Sequence, residues 1–329
     1  MKVFISNFRV NEPVDTALMV AEKRLVPFRD QAKGRYLALV LVDRTGQIEG
    51  RAWENAEELA NGCEVGDVIQ VTGVVEEYRE VRQLRLTSLR RLTESEIDLG
   101  EFLAVTPRDR QAMEERLDAL IASVRHPGLR ALLTAFFGDP QFRRAYSEAP
   151  AAKRVHHNYL GGLLEHSLEV AELVEAVARF APEAEGGLNR DLALTGALLH
   201  DIGKVREYRY RPLIDLTDEG KLLGHTVLGC AMVRERAAAL GPEVVAPEVV
   251  LELEHLLLTH HGELEWGAPV LPQTVEAAAL HYADLLSGRV KQYQQVAAGA
   301  SPGEGGGRIA GLWSPYDGVL GRSLYLGQR

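Results

Sequence analysis

Between Leu192 and Lys204 the chain reads LALTGALLHDIGK, a nearly unbroken apolar run that ends in an adjacent His200-Asp201 pair. Such a run has to be buried, and its spacing predicts a helix. Leu194, Ala197, Leu198 and Asp201 share one face, and Ala193, Gly196, Ala197 and His200 share the next, so both polar side chains point into protein. Asp191 is the expected cap at the start of this helix, and Gly203 its expected left-handed stop, with Lys204 just beyond. A buried imidazole or carboxylate needs a hydrogen bond, a counter-charge or a metal. Taken alone, the pair also fits a satisfied core histidine beside a helix-end carboxylate. The rest of the chain shifts that balance, because several of its ten histidines fall on apolar helical faces or at helix ends.

The stretch 162–180, GLLEHSLEVAELVEAVARF, sets His166 on a stripe with Leu163, Val170, Leu173, Val174 and Val177. After a polar stretch with a turn at Asp218-Glu219-Gly220, Gly224-His225 opens a helix that runs to about Leu240. From Val249 to His261, His260 shares a face with Leu253, Leu256 and Leu257; His261 sits one step round, and Gly262 is the stop. His255 lies roughly 140° from His260 and falls outside this group. In EAAALHYADLL, 276–286, Asp284 aligns with Ala277, Leu280 and His281; His281 reads either as support for the site or as a packed histidine. Together His166, His200, His225, His260 and His261 with Asp201 and Asp284 form a mixed imidazole and carboxylate set, which suits Mn, Fe, Ni or Zn better than calcium.

The first 92 residues have a different pattern. Ala17 to Phe28, Tyr36 to Val42, Gln47 to Trp53, Val68 to Val75 and Val81 to Leu89 read as strands, with a turn at Asp43-Arg44-Thr45-Gly46 and a helical segment near Glu54 to Ala60. Five such strands suit a small closed barrel of the OB type. Arg79, Arg82, Arg85, Arg90 and Arg91 crowd the last hairpin, while Tyr36, Trp53 and Tyr78 offer aromatic faces, the two ingredients of single-strand binding on such barrels. The same arginines also fit a solvated face, and Trp53 a core position. The formal net charge of −10 excludes a uniformly basic nucleic-acid coat. Residues 1–92 are balanced at 14 basic and 14 acidic, so the whole excess of acid lies in the remainder, 23 against 33.

The expected organisation is therefore a barrel over 1–92, a linker and helical segment over 93–150, an all-helical domain over 151–292, and a tail over 293–329. Thr93 to Thr106 is acidic and aperiodic. Pro107 to Phe137 is helical apart from a break at His126-Pro127-Gly128, where His126 receives no role. The tail pairs a glycine-rich arm, AAGASPGEGGG, with LWSPYDGVLGRSLY, which suggests docking on this chain or on a sister subunit in a homo-oligomer. Cys63 and Cys230, far apart, read as free thiols. With no apolar stretch near the roughly 20 residues that span a membrane, and no basic-then-apolar start, the expectation is a soluble cytoplasmic protein without a membrane partner.

The order His, His-Asp, His, His-His, Asp, with HDIGK after an apolar helix and HYAD later, resembles the HD-domain metal-dependent phosphohydrolases, whose fold is all-helical. HHNYLGGLLEHSLEVAE, ALLHDIGK, TDEGKLLGH, LTHHG, HYADLLSGRV and SPYDGVLGRSLY are similar, over nearly the whole chain, to the YhaM-type 3′-to-5′ exoribonucleases, which also carry an N-terminal OB-fold. GGLLEH together with EGKLLGH and the tail is far more specific than HDIGK or HHG alone. GELEWGAP follows His261 where cyclic-dinucleotide phosphodiesterases have a Gly-Tyr-Pro signature.

The resemblance implies two divalent ions, manganese first. One would be held by His166, His200, Asp201 and Asp284 and the other by Asp201, His225, His260 and His261, with Asp201 as bridge and catalytic residue. Lys204 would supply positive charge to a non-bridging phosphate oxygen. It also points to His156 and His157 as phosphate contacts, a place loop residues would fill equally well; the barrel reading above adds Tyr36, Trp53, Arg79, Arg82 and Arg85 as substrate contacts. The implied activity is hydrolysis of single-stranded RNA to nucleoside 5′-monophosphates; digestion polarity and preference over single-stranded DNA rest on the resemblance alone. Two alternatives stay open: a phosphohydrolase for free nucleotides or cyclic dinucleotides, and a non-catalytic nucleic-acid-binding protein.

Overall fold

The computed structural model describes residues 2–28, 30, 34–78, 81–153, 157–210, 214–298 and 312–327. The chain divides into two compact units, Met1–Ala104 with Arg209–Ile214, and Val105–Tyr208 with Asp215–Arg329. Among the described residues no helix is long and apolar enough to cross a membrane.

The first unit is built on β1 (Pro13–Pro27), β2 (Arg35–Asp43), β3 (Gly46–Ala52), β4 (Val68–Tyr78) and β5 (Val81–Arg91), closed into a barrel in the order β1-β2-β3-β5-β4. Neighbours are antiparallel except β3 and β5, which run parallel. Period-two alternation aims Leu37, Leu39 and Leu41 of β2 inward, where they meet Leu18, Val20, Ile69, Val71 and Leu84. Shifts of register between Val20 and Glu22 and between Thr72 and Gly73 mark bulges that let so small a sheet curl shut. Helix α1 (Ala56–Asn61) adds Ala56 and Ala60 to the same core. The acidic stretch expected as a linker begins as ordered turns of this unit, Glu94–Glu96 and Leu99–Glu101; Thr93 and Glu96 cap the first reciprocally.

The second unit is helical: α2 (Arg110–Ser123), α3 (Pro127–Phe137), α4 (Pro140–Glu148), α5 (Gly162–Phe180), α6 (Arg190–Leu199), α7 (Lys204–Glu207), α8 (Asp218–Leu240), α9 (Pro247–Thr259) and α10 (Val275–Ala297); between α7 and α8 the chain forms a short ribbon of β6 (Tyr208–Arg209) and β7 (Asp215–Leu216). Every residue of α6 from Leu192 to Leu199 is buried, as a helix apolar on all sides must be, and α5, α9 and α10 pack around it. Each of its buried leucines contributes about 1.5–3 kcal/mol of burial energy.

Four local expectations are corrected here. The cap of α6 is Asn189, whose side chain accepts from Leu192 N. Asp191 instead accepts from the backbone N–H groups of Arg125 and His126, pinning the turn between α2 and α3. Gly203 is not left-handed, at φ −61; it is small because a Cβ there would meet the carbonyl oxygen of His225 at 1.9 Å. Asp218-Glu219-Gly220 is not a turn but the first turn of α8, capped by Thr217. His126 caps α3, its side chain accepting from Leu129 N.

Helix α10 continues past residue 292 to Ala297. The glycine-rich arm lies almost wholly outside the described residues, but the segment after it docks on its own chain, Leu320 and Leu324 packing with Val296. Both cysteines are buried free thiols.

Candidate metal centre

Five helices bring seven side chains to one place. His166 comes from the first turns of α5, His200 and Asp201 from the end of α6, His225 from α8, His260 and His261 from the end of α9, and Asp284 from α10. In α8 the delivery depends on a kink: Gly224 adopts φ 74, ψ 160, a conformation open to glycine, and re-aims the chain just before His225.

The two oxygens of Asp201 face different neighbours. Oδ2 lies 3.3 Å from His200 Nε2, 3.6 Å from His166 Nε2 and 2.6 Å from Lys204 Nζ. Oδ1 lies 3.4 Å from His225 Nε2 and 3.7 Å from His260 Nε2. Asp284 Oδ1 completes the first side at 3.0 Å from His166 Nε2. Ligand atoms of His166, His200 and Asp201 lie within 4.8 Å of one another, and so do those of His225, His260 and His261.

The rings are aimed from behind. His200 Nδ1 donates to Ala197 O at 2.8 Å and His260 Nδ1 to Leu257 O at 2.6 Å. His166 Nδ1 donates to Ser287 Oγ at 3.1 Å, which donates to Glu169 Oε2 at 2.9 Å. Glu207 Oε1 takes both the backbone N–H and Nδ1 of His225, at 3.0 and 3.1 Å. In each case Nδ1 carries the proton and Nε2 presents its lone pair to the centre, the arrangement a metal requires. Asp201 Oδ1, His225 Nε2 and His261 Nδ1 are buried without a hydrogen-bond partner. This donor set fits divalent metal ions, and the residues present could hold them.

Electrostatics agree with a site built for cations. Burial pushes the His260 imidazole well below its usual range, and His261 and His200 push it the same way; burial and His225 lower His261. Burial opposes charge on Asp201 but is outweighed by Lys204, His200 and His225, which hold its carboxyl well below the usual range. For Asp284 burial is likewise outweighed, chiefly by His166.

The centre opens on a cavity of about 470 Å³ whose wall includes Asp201, Lys204, His225, His260, His261 and Asp284. His281 lines it too, and its Nδ1 donates to His260 O at 2.8 Å, so it braces the backbone of one of the clustered imidazoles. His255 stays outside and accepts from Gln273 N. His157 does not line the cavity. It is buried with Nε2 3.2 Å from Glu169 Oε2, in a cluster with Glu165 whose charge Lys291 and Arg108 balance. His156 lies outside the described residues, as does Arg79. Glu207, Ser287 and Glu169 were not anticipated; Ser287, one helical turn after Asp284, carried a signal that sequence reasoning could have used.

On the barrel, Tyr36 and Trp53 form a cluster with rings 4.6 Å apart, joined by Phe28, and Arg51 lies over both. Trp53 is more than a third exposed. Arg82 Nη1 donates to Phe8 O at 2.7 Å, Arg85 pairs with Glu76, Arg90 with Glu96 and Arg91 with Asp67.

A five-stranded barrel followed by a helical unit with a buried His/Asp centre defines an HD-domain protein with an N-terminal OB-fold. Residues 163–289 match the HD domain family, and residues 17–92 match the OB-fold nucleic acid binding domain family of the tRNA anti-codon type. The chain belongs to the YhaM-type HD-domain family: it is 31% identical over 310 residues, 94% of its own length and 92% of the relative's, to the 3′-5′ exoribonuclease YhaM of Geobacillus sp. (strain WCH70). Among solved structures it is similar to the second OB-fold domain of replication protein A from Methanococcus maripaludis, at 23% identity and a TM-score of 0.25 over 29% of this chain and 97% of that one. It is also similar to asparaginyl-tRNA synthetase from Pyrococcus horikoshii, at 16% identity and a TM-score of 0.23 over 56% and 36%.

Proposed function

We propose that this chain is a metal-dependent exoribonuclease that removes nucleoside 5′-monophosphates from the 3′ end of single-stranded RNA. The observation that carries the reading is the division of the Asp201 carboxylate between two groups of imidazoles. His166, His200, Asp284 and Asp201 Oδ2 would hold one divalent ion; His225, His260, His261 and Asp201 Oδ1 would hold a second. When bound, such ions supply Lewis acidity, activating water and offsetting charge on phosphate oxygens. Manganese is the first ion to try, with iron, nickel and zinc as comparisons.

The chain's own residues do the rest. Backbone carbonyls, Ser287 and Glu207 fix the imidazole rings so that nothing reorganises when charge develops. Lys204, on the cavity wall beside Asp201, offers its ammonium to a non-bridging oxygen. Substrate identity and direction are supported by the name of the relative, and strand binding by the OB-fold with its Tyr36, Trp53 and Arg51 cluster. Arg82 and Arg85 would join in where they exchange Phe8 O and Glu76 for phosphate. A buried centre favours unpaired ends, because a duplex must first be opened before a terminal nucleotide reaches it.

The test is incubation of 5′-labelled single-stranded RNA with purified protein and manganese, with single-stranded DNA and a circular RNA in parallel. Progressive shortening, a stall near a stable hairpin, release of 5′-monophosphates and a resistant circle are expected. Rapid cutting of the circle, or release of 3′-monophosphates, refutes the reading.

A further inference from the structure

The cavity at the metal centre continues along α10 beyond the ligating groups. Asp284, Gly288 and Gln292 all line it and follow one another at four-residue intervals, so they share a helix face and span roughly 12 Å along the axis. Gly288 lines the cavity between the carboxylate and the amide without a side chain of its own. Ala151 and Ala152 line the same cavity with side chains too short to fill it, and the docked C-terminal segment contributes Val319, next to Leu320 on Val296. Gln292 is itself buried, and Arg289 Nη1 donates to its Oε1 at 3.4 Å. That bond commits the amide oxygen and leaves the NH₂ end as a donor to whatever the cavity holds.

We infer that this extension takes the sugar and base of the nucleotide being removed, with Gln292 donating to the base. The inference rests on the hydrolase reading above and says where its substrate sits. One end of the cavity is made for a phosphate, with Lys204 and the His/Asp groups. The other has small and apolar walls, with the Gln292 amide and the Arg289 guanidinium bonded to it, and it lies roughly 12 Å along the helix from Asp284, room for a nucleoside beyond its 5′-phosphate. A donor at that point meets an acceptor edge that bases share, O2 of a pyrimidine or N3 of a purine. One fixed amide can therefore serve successive nucleotides of any sequence.

Two chromogenic esters isolate this contact: uridine 5′-(p-nitrophenyl phosphate) and methyl p-nitrophenyl phosphate. Both lose p-nitrophenolate, and they differ only in the group on the retained ester oxygen. With manganese, kcat/KM should favour the uridine ester on the order of 100-fold, the scale of burying and bonding one base. Gln292→Ala should cut that ratio about tenfold, the worth of a buried hydrogen bond, and Gly288→Leu, which adds a side chain there, should bring it near one. Turnover of the methyl ester is the measure that each variant is folded and loaded; if Gly288→Leu fails it, Gln292→Ala decides alone. A wild-type ratio near one, or a ratio that Gln292→Ala leaves unchanged, overturns the subsite while the hydrolase reading stands. No turnover of either ester by the wild type overturns both.

Discussion

Asp201 has one oxygen among His166, His200 and Lys204 and the other between His225 and His260, so its removal strips a ligand from both groups at once. Asp201→Ala should abolish hydrolysis and lower bound metal towards one ion or none, whereas His255→Ala, which loses only the contact with Gln273 N, should leave both nearly unchanged. Metal analysis decides it: equal content in wild type and Asp201→Ala would sink the shared-ligand assignment. Ser287→Ala removes the acceptor that aims His166, and metal affinity should fall roughly 10–100-fold in a competition titration while the fold persists. The residues that cluster here were legible because an imidazole on an apolar stripe breaks a local period. Their supports were not, because Glu207 and Glu169 act across space and nothing in their own neighbourhoods marks them. Asp191 shows the same limit. A carboxylate in the first turn of a helix reads as its cap, and only the fold shows a loop 66 residues away claiming it.

At the scale of elements, periodicity anticipated the five strands and α5, α6, α9 and α10, and the physics behind that is burial of one face. The short α1 was expected near Glu54 to Ala60, but not every short helix was. Helix α4 went unread although Asp139 caps it and Pro140 opens it, because its nine residues are polar enough to look like a loop. The kink in α8 was visible only as a glycine before a histidine. Gly224→Ala should lose about 1–3 kcal/mol in denaturant unfolding, since alanine has no comfortable form at that φ and ψ. It should weaken metal binding as well, by turning His225. Just past the end of β3, the aromatic cluster predicts that Trp53→Ala raises the Kd for single-stranded RNA roughly 10- to 100-fold, the worth of one stacked base. An unchanged Kd in a fluorescence titration would place the strand elsewhere on the barrel.

For the whole molecule, what matters is that the seven clustered His and Asp side chains come from five helices between His166 and Asp284, with none of the five supplying a complete set. Ions held there would be cross-links that can be put in and taken out. They tie together stretches of chain that a disulfide would have to bridge, and they act only on the folded form. An ion at a hundredfold excess over its Kd adds about 2.7 kcal/mol, which for a unit of this size is roughly 5–10 °C in melting temperature. Chelation should therefore lower the melting transition of the helical unit and leave that of the barrel in place, as scanning calorimetry would read; a single unshifted transition would contradict it. The same scan, repeated across manganese, iron, nickel and zinc, separates the ion held most tightly from the one that supports turnover. Metal supply would then set how long this chain survives proteases, which cut whatever opens, independently of how fast it cuts RNA.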